Sequence, residues 1–216
     1  MGAVIRVLLV DDDPLVRSGL RMMLSGAPGI EVVAEAGDGR EVLGAVDLHR
    51  PDVVLMDIRM PEVDGIAATR LLRAQPSPPA VVVLTTFDAD ELVLRALRAG
   101  AAGFLLKDTA PADIVRAIET VHAGDGMLSP AITSRLIALV AAGDRAEDAR
   151  ERLAALTERE REVALAVGRG ASNAEIAAEL YMSVATVKAY VSRLLAKLDL
   201  DNRVQIALLV HDAGRS

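Results

Sequence analysis

Val53-Val54-Leu55-Met56-Asp57-Ile58-Arg59-Met60-Pro61 is a run of apolar residues that delivers one carboxylate, Asp57, and then turns. A strand that is apolar on both faces belongs in the middle of a parallel sheet covered by helices, so its last residue emerges at the carboxyl edge of the sheet. Open α/β sheets keep their chemistry at that edge. Alone, Asp57 reads equally well as an aspartate that caps a turn. What shifts the balance is a second acidic site, Asp11-Asp12-Asp13, which follows another such strand, Val4 to Val10.

Outward from these two strands the first 120 or so residues alternate strand and helix. Pro14 sits at a plausible first helical turn, and Leu15, Leu20, Met23 and Leu24 are expected to share a face. Residues 31 to 36 form strand two, and Asp38-Gly39-Arg40-Glu41 has capping-box spacing for the next helix. A helix starts near Asp64-Gly65, and Ala80 to Leu84 forms strand four. Asp88 and Glu91 form a further capping pair. Gly103 to Leu106 is a short fifth strand closed by Lys107, and Pro111 opens the fifth helix. Right-handed crossovers then imply a doubly wound α/β fold, a five-stranded parallel sheet in the flavodoxin-like order 2-1-3-4-5. Strands one and three become neighbours at the switch point, where Asp11, Asp12 and Asp57 converge with Thr85 and Lys107.

Carboxylates crowded in this way raise one another's pKa or recruit a cation, and a hard divalent ion with oxygen ligands answers the need. Mg2+ takes one or two carboxylates and leaves room for phosphoryl oxygens. Lys107 can neutralise another phosphate oxygen and the Thr85 hydroxyl can donate to one. Asp57 is then the acceptor nucleophile of an in-line transfer. In isolation, Lys107 reads as a solvated lysine and Thr85 as a strand-end hydroxyl. Their conjunction with three acids carries the functional reading.

Composition bounds the rest. With 216 residues, 52% hydrophobic and 25% charged, the chain can bury two cores. It has no Trp, two Tyr and two Phe, so those cores are aliphatic and stacking platforms for single-stranded nucleic acid are not expected. The absence of Cys excludes disulfides and thiolate chemistry. No signal peptide or membrane span is legible, and a cytoplasmic protein without a membrane partner is expected. Residues 1 to 130 carry 19 acidic and 12 basic side chains, the whole of the net charge of -7, whereas residues 151 to 216 carry nine of each. Two units with different partners follow.

Leu8-Leu9-Val10-Asp11-Asp12, Met56-Asp57-Ile58-Arg59-Met60-Pro61, Asp64-Gly65, Thr85 and Gly100-Ala101-Ala102-Gly103-Phe104-Leu105-Leu106-Lys107 resemble the receiver domain of two-component response regulators. The resemblance spans residues 4 to 123. It implies that Asp57 accepts phosphate from a sensor histidine kinase, that Asp11, Asp12, Asp57 and the backbone carbonyl of Arg59 hold Mg2+, and that Thr85 and Phe104 act as a switch pair. Three positions depart from the pattern: Asp13 follows the acidic pair, Phe104 lacks a tyrosine hydroxyl, and Asp108 stands where many receivers have proline.

The receiver is assigned to residues 1–124, and residues 125–151 read as a linker with a helix from Ser129-Pro130, its apolar stripe formed by Ile132, Leu136, Leu139 and Val140. The charged, Ala-rich stretch at 143 to 150 reads as flexible or weakly helical. From 152 to 216 the chain is all α. Thr157 to Glu160 and Ser172 to Glu175 fit capping boxes, Ser183 can cap a third helix, and a fourth starts at Arg203. The third helix carries Thr186, Lys188, Ser192, Arg193 and Lys197 on its outside, as a helix-turn-helix requires and as a merely solvated face also allows.

Leu156-Thr157-Glu158-Arg159-Glu160-Arg161-Glu162-Val163, Asn173-Ala174-Glu175-Ile176-Ala177 and the run from Ala185 to Leu198 resemble the LuxR-type DNA-binding domain, and the whole chain is similar to NarL/FixJ-type response regulators. That implies double-stranded DNA contacts from Thr186, Lys188, Ala189, Ser192, Arg193 and Lys197. It also implies a homodimer when phosphorylated, with Val204, Ile206, Leu208 and Leu209 as its surface, and RNA polymerase as a candidate partner. Tyr190 stands where histidine is common. The expectation is therefore a phosphorylation-controlled transcription factor rather than an enzyme. One alternative is a phosphorylation-independent regulator with a degenerate or metabolite-sensing receiver, whose acidic pocket binds a metabolite or only supports dimerisation. The other is an aspartyl-phosphate phosphatase or phosphotransferase, disfavoured because such haloacid-dehalogenase-like enzymes carry a second acid where Arg59 stands.

Overall fold

The computed structural model describes residues 4–86, 90–128 and 146–214. The chain divides into two compact units, one running to Ala123 and including the strand at Met127, the other holding Gly124–Gly126 and the helices from Ala146 onward.

In the first unit, β1 (Ile5–Val10), α1 (Pro14–Ser25), β2 (Ile30–Ala36), α2 (Gly39–His49), β3 (Val53–Met56), α3 (Gly65–Arg73), β4 (Ala80–Thr85), α4 (Asp90–Arg98), β5 (Gly103–Leu106) and α5 (Pro111–His122) alternate as expected. The strands pair in parallel in the order β2-β1-β3-β4-β5, and a two-residue strand, β6 (Met127–Leu128), adds itself beside β5. That last strand falls in the segment assigned to the linker. Two residues offer no alternation to read, so sequence periodicity is blind to it.

The inner strands β1, β3, β4 and β5 are buried on both faces because helices cover both. Val7, Leu9, Leu55, Val82, Leu84 and Leu105 pack under α1 and α5, while Leu8, Val10, Val54 and Met56 pack under α2 and α3. Helix α1 meets the sheet through Leu20 and Leu24, with Val16 half-buried against them; Leu15 is 80% exposed and Met23 41%, so these two leave the expected face. The observed stripe is 16, 20, 24. Six apolar residues in twelve positions allow more than one stripe, and the sheet selects among them.

Helix α2 is capped by Asp38, whose carboxylate accepts from the Arg40 amide at 3.0 Å, but Glu41 reaches back to the Gly37 amide rather than closing a box on Asp38. Asp88 and the Glu91 side chain, the expected cap of α4, lie outside the described residues. So does the linker helix read from Ser129, Pro130, Ile132, Leu136, Leu139 and Val140.

The second unit is α6 (Ala146–Ala154), α7 (Glu158–Gly168), α8 (Asn173–Glu179), α9 (Val184–Lys197) and α10 (Arg203–Ala213). Both expected capping boxes are present, Thr157 with Glu160 and Ser172 with Glu175, and Ser183 caps α9 through the Thr186 amide at 3.0 Å. Helix α6 overlaps the stretch read as flexible or weakly helical and takes the helical alternative, with Ala149 and Leu153 buried in the core of this unit. Its charged residues masked the i, i+4 apolar pair.

Helix α10 corrects the expected dimer surface. Val204, Ile206 and Leu209 are 6%, 0% and 7% exposed, because α10 packs on α6 and α7 and buries these side chains within its own unit. Of the four residues, Leu208 alone reaches the surface, and it is half-buried.

Candidate functional site

Three strand ends build the pocket in the first unit. Asp57 leaves β3 with its amide donating to the Val10 carbonyl at 2.8 Å, Asp11 leaves β1 with its amide donating to Ala36 at 3.2 Å, and Lys107 leaves β5 with its amide donating to Thr85 at 2.8 Å. These main-chain bonds continue the ladders past the strands, so the side chains that follow share one edge. Carboxylate oxygens of Asp11, Asp12 and Asp57 lie within 4.8 Å of one another. Asp11 and Asp57 are buried, and Asp12 is exposed.

The Lys107 ammonium lies 2.5 Å from an Asp11 oxygen and 3.4 Å from an Asp57 oxygen. Burial pushes the Asp57 carboxyl above the ordinary aspartate range; the charge of Lys107 pulls it back and that of Asp11 pushes it further up. Burial alone would lower the lysine, but its hydrogen bond to Asp11 and the charge of Asp57 outweigh it and hold the ammonium protonated. One cation thus serves two buried carboxylates, with a third at the rim. An all-oxygen donor set with surplus negative charge fits a hard divalent cation.

Thr85, at the end of β4, and Phe104, in β5, are both buried, with Val83 opposite Phe104 and Thr85 opposite Leu106 in the ladder. Arg59 is exposed two residues beyond Asp57. Asp13 has a local duty: its carboxylate accepts from the Leu15 amide at 2.8 Å and caps α1. Asp108 follows Lys107 without a cis bond, the described residues having none, and the loop closes through the Thr109 amide on Leu106 at 3.0 Å.

Some supporting residues had no sequence signal. The Arg17 guanidinium donates to the Asp11 carbonyl at 2.6 Å and to Glu35 at 3.1 Å, bracing the acidic loop from α1. Arg21 shares Glu35 at 2.5 Å, and its hydrogen bond is the main reason the Glu35 carboxyl titrates low. Asp38 ties two loops of the same edge together by accepting from the Glu62 amide at 2.9 Å.

In the second unit, Thr186, Lys188, Ala189, Ser192, Arg193 and Lys197 are all exposed on α9, while Val187, Val191 and Leu194 face the core. Their environments differ. The Thr186 hydroxyl lies 2.8 Å from that of Ser183, inside the helix cap. The Lys197 ammonium donates to Glu160 at 2.7 Å, and this bond, with the Thr157 amide, holds the Glu160 carboxyl down at about 2. Lys197 therefore ties α9 to the cap of α7. Arg193 stacks its guanidinium 4.2 Å above the centre of the Tyr190 ring and donates from Nε to the Ala189 carbonyl at 3.3 Å. Lys188 and Ser192 stand beside it on one exposed stripe. Arg203 is buried, donating to Asn173 at 2.8 Å and to the Ala171 carbonyl, which pins the start of α8 to α10.

Residues 7–119 match the response regulator receiver domain, and residues 154–210 match the LuxR family of bacterial regulatory proteins. The transcriptional regulatory protein LiaR of Bacillus subtilis is 39% identical over 96% of this chain and 97% of its own. The nitrate/nitrite response regulator protein NarL of Escherichia coli is 37% identical over 95% of this chain and 94% of its own. Among solved structures, the response regulator ChrA of a heme-sensing two-component system superimposes with a TM-score of 0.55 at 38% identity, covering 96% of both chains. No helix among the described residues is long and apolar enough to cross a membrane.

Proposed function

This chain belongs to the response regulators that join a receiver domain to a LuxR-family DNA-binding domain, and we propose that Asp57 is the residue through which it is switched. The observation that carries this is the meeting of Asp57, Asp11 and Lys107 at one sheet edge, with the lysine within 3.4 Å of both carboxylates. The phosphodonor is a histidine kinase. A carboxylate oxygen of Asp57 attacks the phosphorus, the bond to the kinase histidine breaks, and the chain is left with an acyl phosphate. Mg2+ held by Asp11, Asp12, Asp57 and the backbone carbonyl of Arg59 would supply the charge that such an anion needs.

The chain's own residues do the rest. Burial leaves Asp57 poorly solvated and so a better nucleophile than a surface aspartate, and Lys107 stands ready to neutralise a phosphoryl oxygen. Thr85 donates its hydroxyl to a second oxygen, and Phe104 repacks behind it, biasing a two-state equilibrium. Asp57 accumulates its phosphoryl group rather than turning over a substrate, so the protein works as a switch and not as an enzyme.

The output is promoter binding in the cytoplasm, with no membrane partner. Lys188, Ala189, Ser192 and Arg193 face the DNA groove, and Thr186 and Lys197 flank them. Phosphorylation promotes a homodimer on paired half-sites, with Leu208 as the surface contribution of α10. RNA polymerase is the partner through which occupancy becomes transcription.

The test is Asp57→Asn with a small phosphodonor and Mg2+. The nearly isosteric amide keeps the fold and is expected to abolish phosphate incorporation. Undiminished incorporation, mapped by mass spectrometry to another residue, overturns the assignment.

A further inference from the structure

The turn between α8 and α9 holds a residue that its own unit does not use. Tyr181 has a backbone φ of 55°, in the left-handed region, and its side chain is 97% exposed. The Met182 amide donates to the Ala177 carbonyl at 2.9 Å and so fixes the turn, which places the tyrosine at the position where glycine ends a helix without steric penalty. A β-carbon there strains the backbone, and the ring buries nothing in exchange. The other tyrosine, Tyr190, has Arg193 stacked on it. Tyr181 stands two residues before Ser183, the cap of α9.

In a helix-turn-helix the second helix enters the major groove by its N-terminal end while the first crosses the backbone, so the turn between them lies against phosphates. Tyrosine hydroxyls are among the side chains that hold those phosphates. We infer that Tyr181 is a DNA-backbone contact, its phenolic hydroxyl donating a hydrogen bond to a phosphate oxygen beside the leading end of α9. This rests on the reading of α9 as the groove-entering helix. The strained turn aims the hydroxyl outward before DNA arrives, and the free protein carries the penalty. Being neutral, the contact adds affinity without displacing a counterion.

The experiment uses the full-length protein with Mg2+ and a small phosphodonor, and a duplex that the wild type selects from a random-sequence pool. Tyr181→Phe, Tyr181→Gly and Lys188→Ala are compared by titration over a range of salt and by thermal melting. The expected result is a loss of about tenfold in affinity for Tyr181→Phe, the worth of one charge-assisted hydrogen bond, and at least as large a loss for Tyr181→Gly. The salt slope stays at the wild-type value in both, and the Tm of the glycine variant equals or exceeds that of the wild type. Lys188→Ala, by contrast, lowers the slope by about one if it holds a phosphate. Wild-type affinity in Tyr181→Phe overturns the inference whatever the glycine variant does, and so does a loss that comes with a lower Tm in Tyr181→Phe. Failure of the wild type to select any duplex, or wild-type affinity in Lys188→Ala, takes down the reading of α9 itself and the tyrosine contact with it.

Discussion

A β-carbon on Gly65 would stand 2.0 Å from the backbone carbonyl oxygen of Asp57. The first turn of α3 thus lies directly on the peptide that carries Asp57, and the Gly65 amide donates to the Ile58 carbonyl at 2.9 Å. Only hydrogen fits between them, so the side chain at 65 governs where Asp57 points. Gly65→Ala is expected to lower stability by about 1–3 kcal/mol through overpacking. Because the strand end must move, phosphorylation should slow by roughly tenfold or more. Thermal melting and the rate of incorporation from a small phosphodonor check the two effects together. A variant with wild-type Tm and rate would show that the backbone yields there at no penalty.

Asp57→Asn should make the resting protein more stable. The buried Asp57 carboxyl titrates above its ordinary value, so the folded protein binds this proton more tightly than the unfolded chain. A group of this kind contributes stability below its unfolded pKa and loses it as the pH rises through the folded pKa. At neutral pH the wild type carries a poorly solvated charge that the amide removes. The variant should melt higher at pH 7, and the gap should close as the pH falls toward 3.8, the ordinary aspartate value. A lower Tm for the variant across that range would contradict the burial argument.

Lys197 should behave as a structural residue and Lys188 as a DNA contact. Glu160, depressed from 4.5 to about 2, contributes stability that is present above 4.5 and lost as the pH drops from there toward 2. Lys197→Ala is expected to lower the Tm at neutral pH, with the difference fading across that acidic window. Its DNA affinity should keep the wild-type salt slope. A slope reduced by about one unit in Lys197→Ala would instead make it a phosphate contact that leaves Glu160 on binding.

Tyr190 is expected to act through Arg193. Stacking at an exposed site is worth about 0.5–1 kcal/mol and restricts where the guanidinium can point. Arg193→Ala should weaken DNA binding by roughly 1–3 kcal/mol if it reads a base. Tyr190→Leu should weaken it less, and Tyr190→Phe, which keeps the ring face, should not. Adding Tyr190→Leu to Arg193→Ala should then change nothing further. Additive losses in this double-mutant cycle would assign Tyr190 a separate role.

The sheet and its acidic edge were legible because they rest on short-range rules. Val53 to Met56 is apolar throughout because both of its faces are covered, and Asp57 follows at the place where such a strand must end. What escaped depends on distance and choice. Nothing in the sequence links Arg17 to the carbonyl of Asp11, or Lys197 to a glutamate 37 residues earlier. The sequence marks Val204, Ile206 and Leu209 as apolar positions of a helix, but it cannot say whether a second copy or the unit's own α6 and α7 will cover them. The same ambiguity misplaced Leu15 and Met23. In each case tertiary packing chose between patterns that local spacing allows equally.

The protein has two tyrosines, no tryptophan, and both tyrosines lie in the helix-turn-helix, Tyr181 in water at its turn and Tyr190 beneath Arg193. Its tyrosine emission therefore comes from the DNA-binding unit alone, and the receiver unit, whose aromatics are the two phenylalanines, is silent in that channel. A change in tyrosine emission on adding a phosphodonor would be an optical readout, free of any introduced label, of a signal passing from one unit to the other.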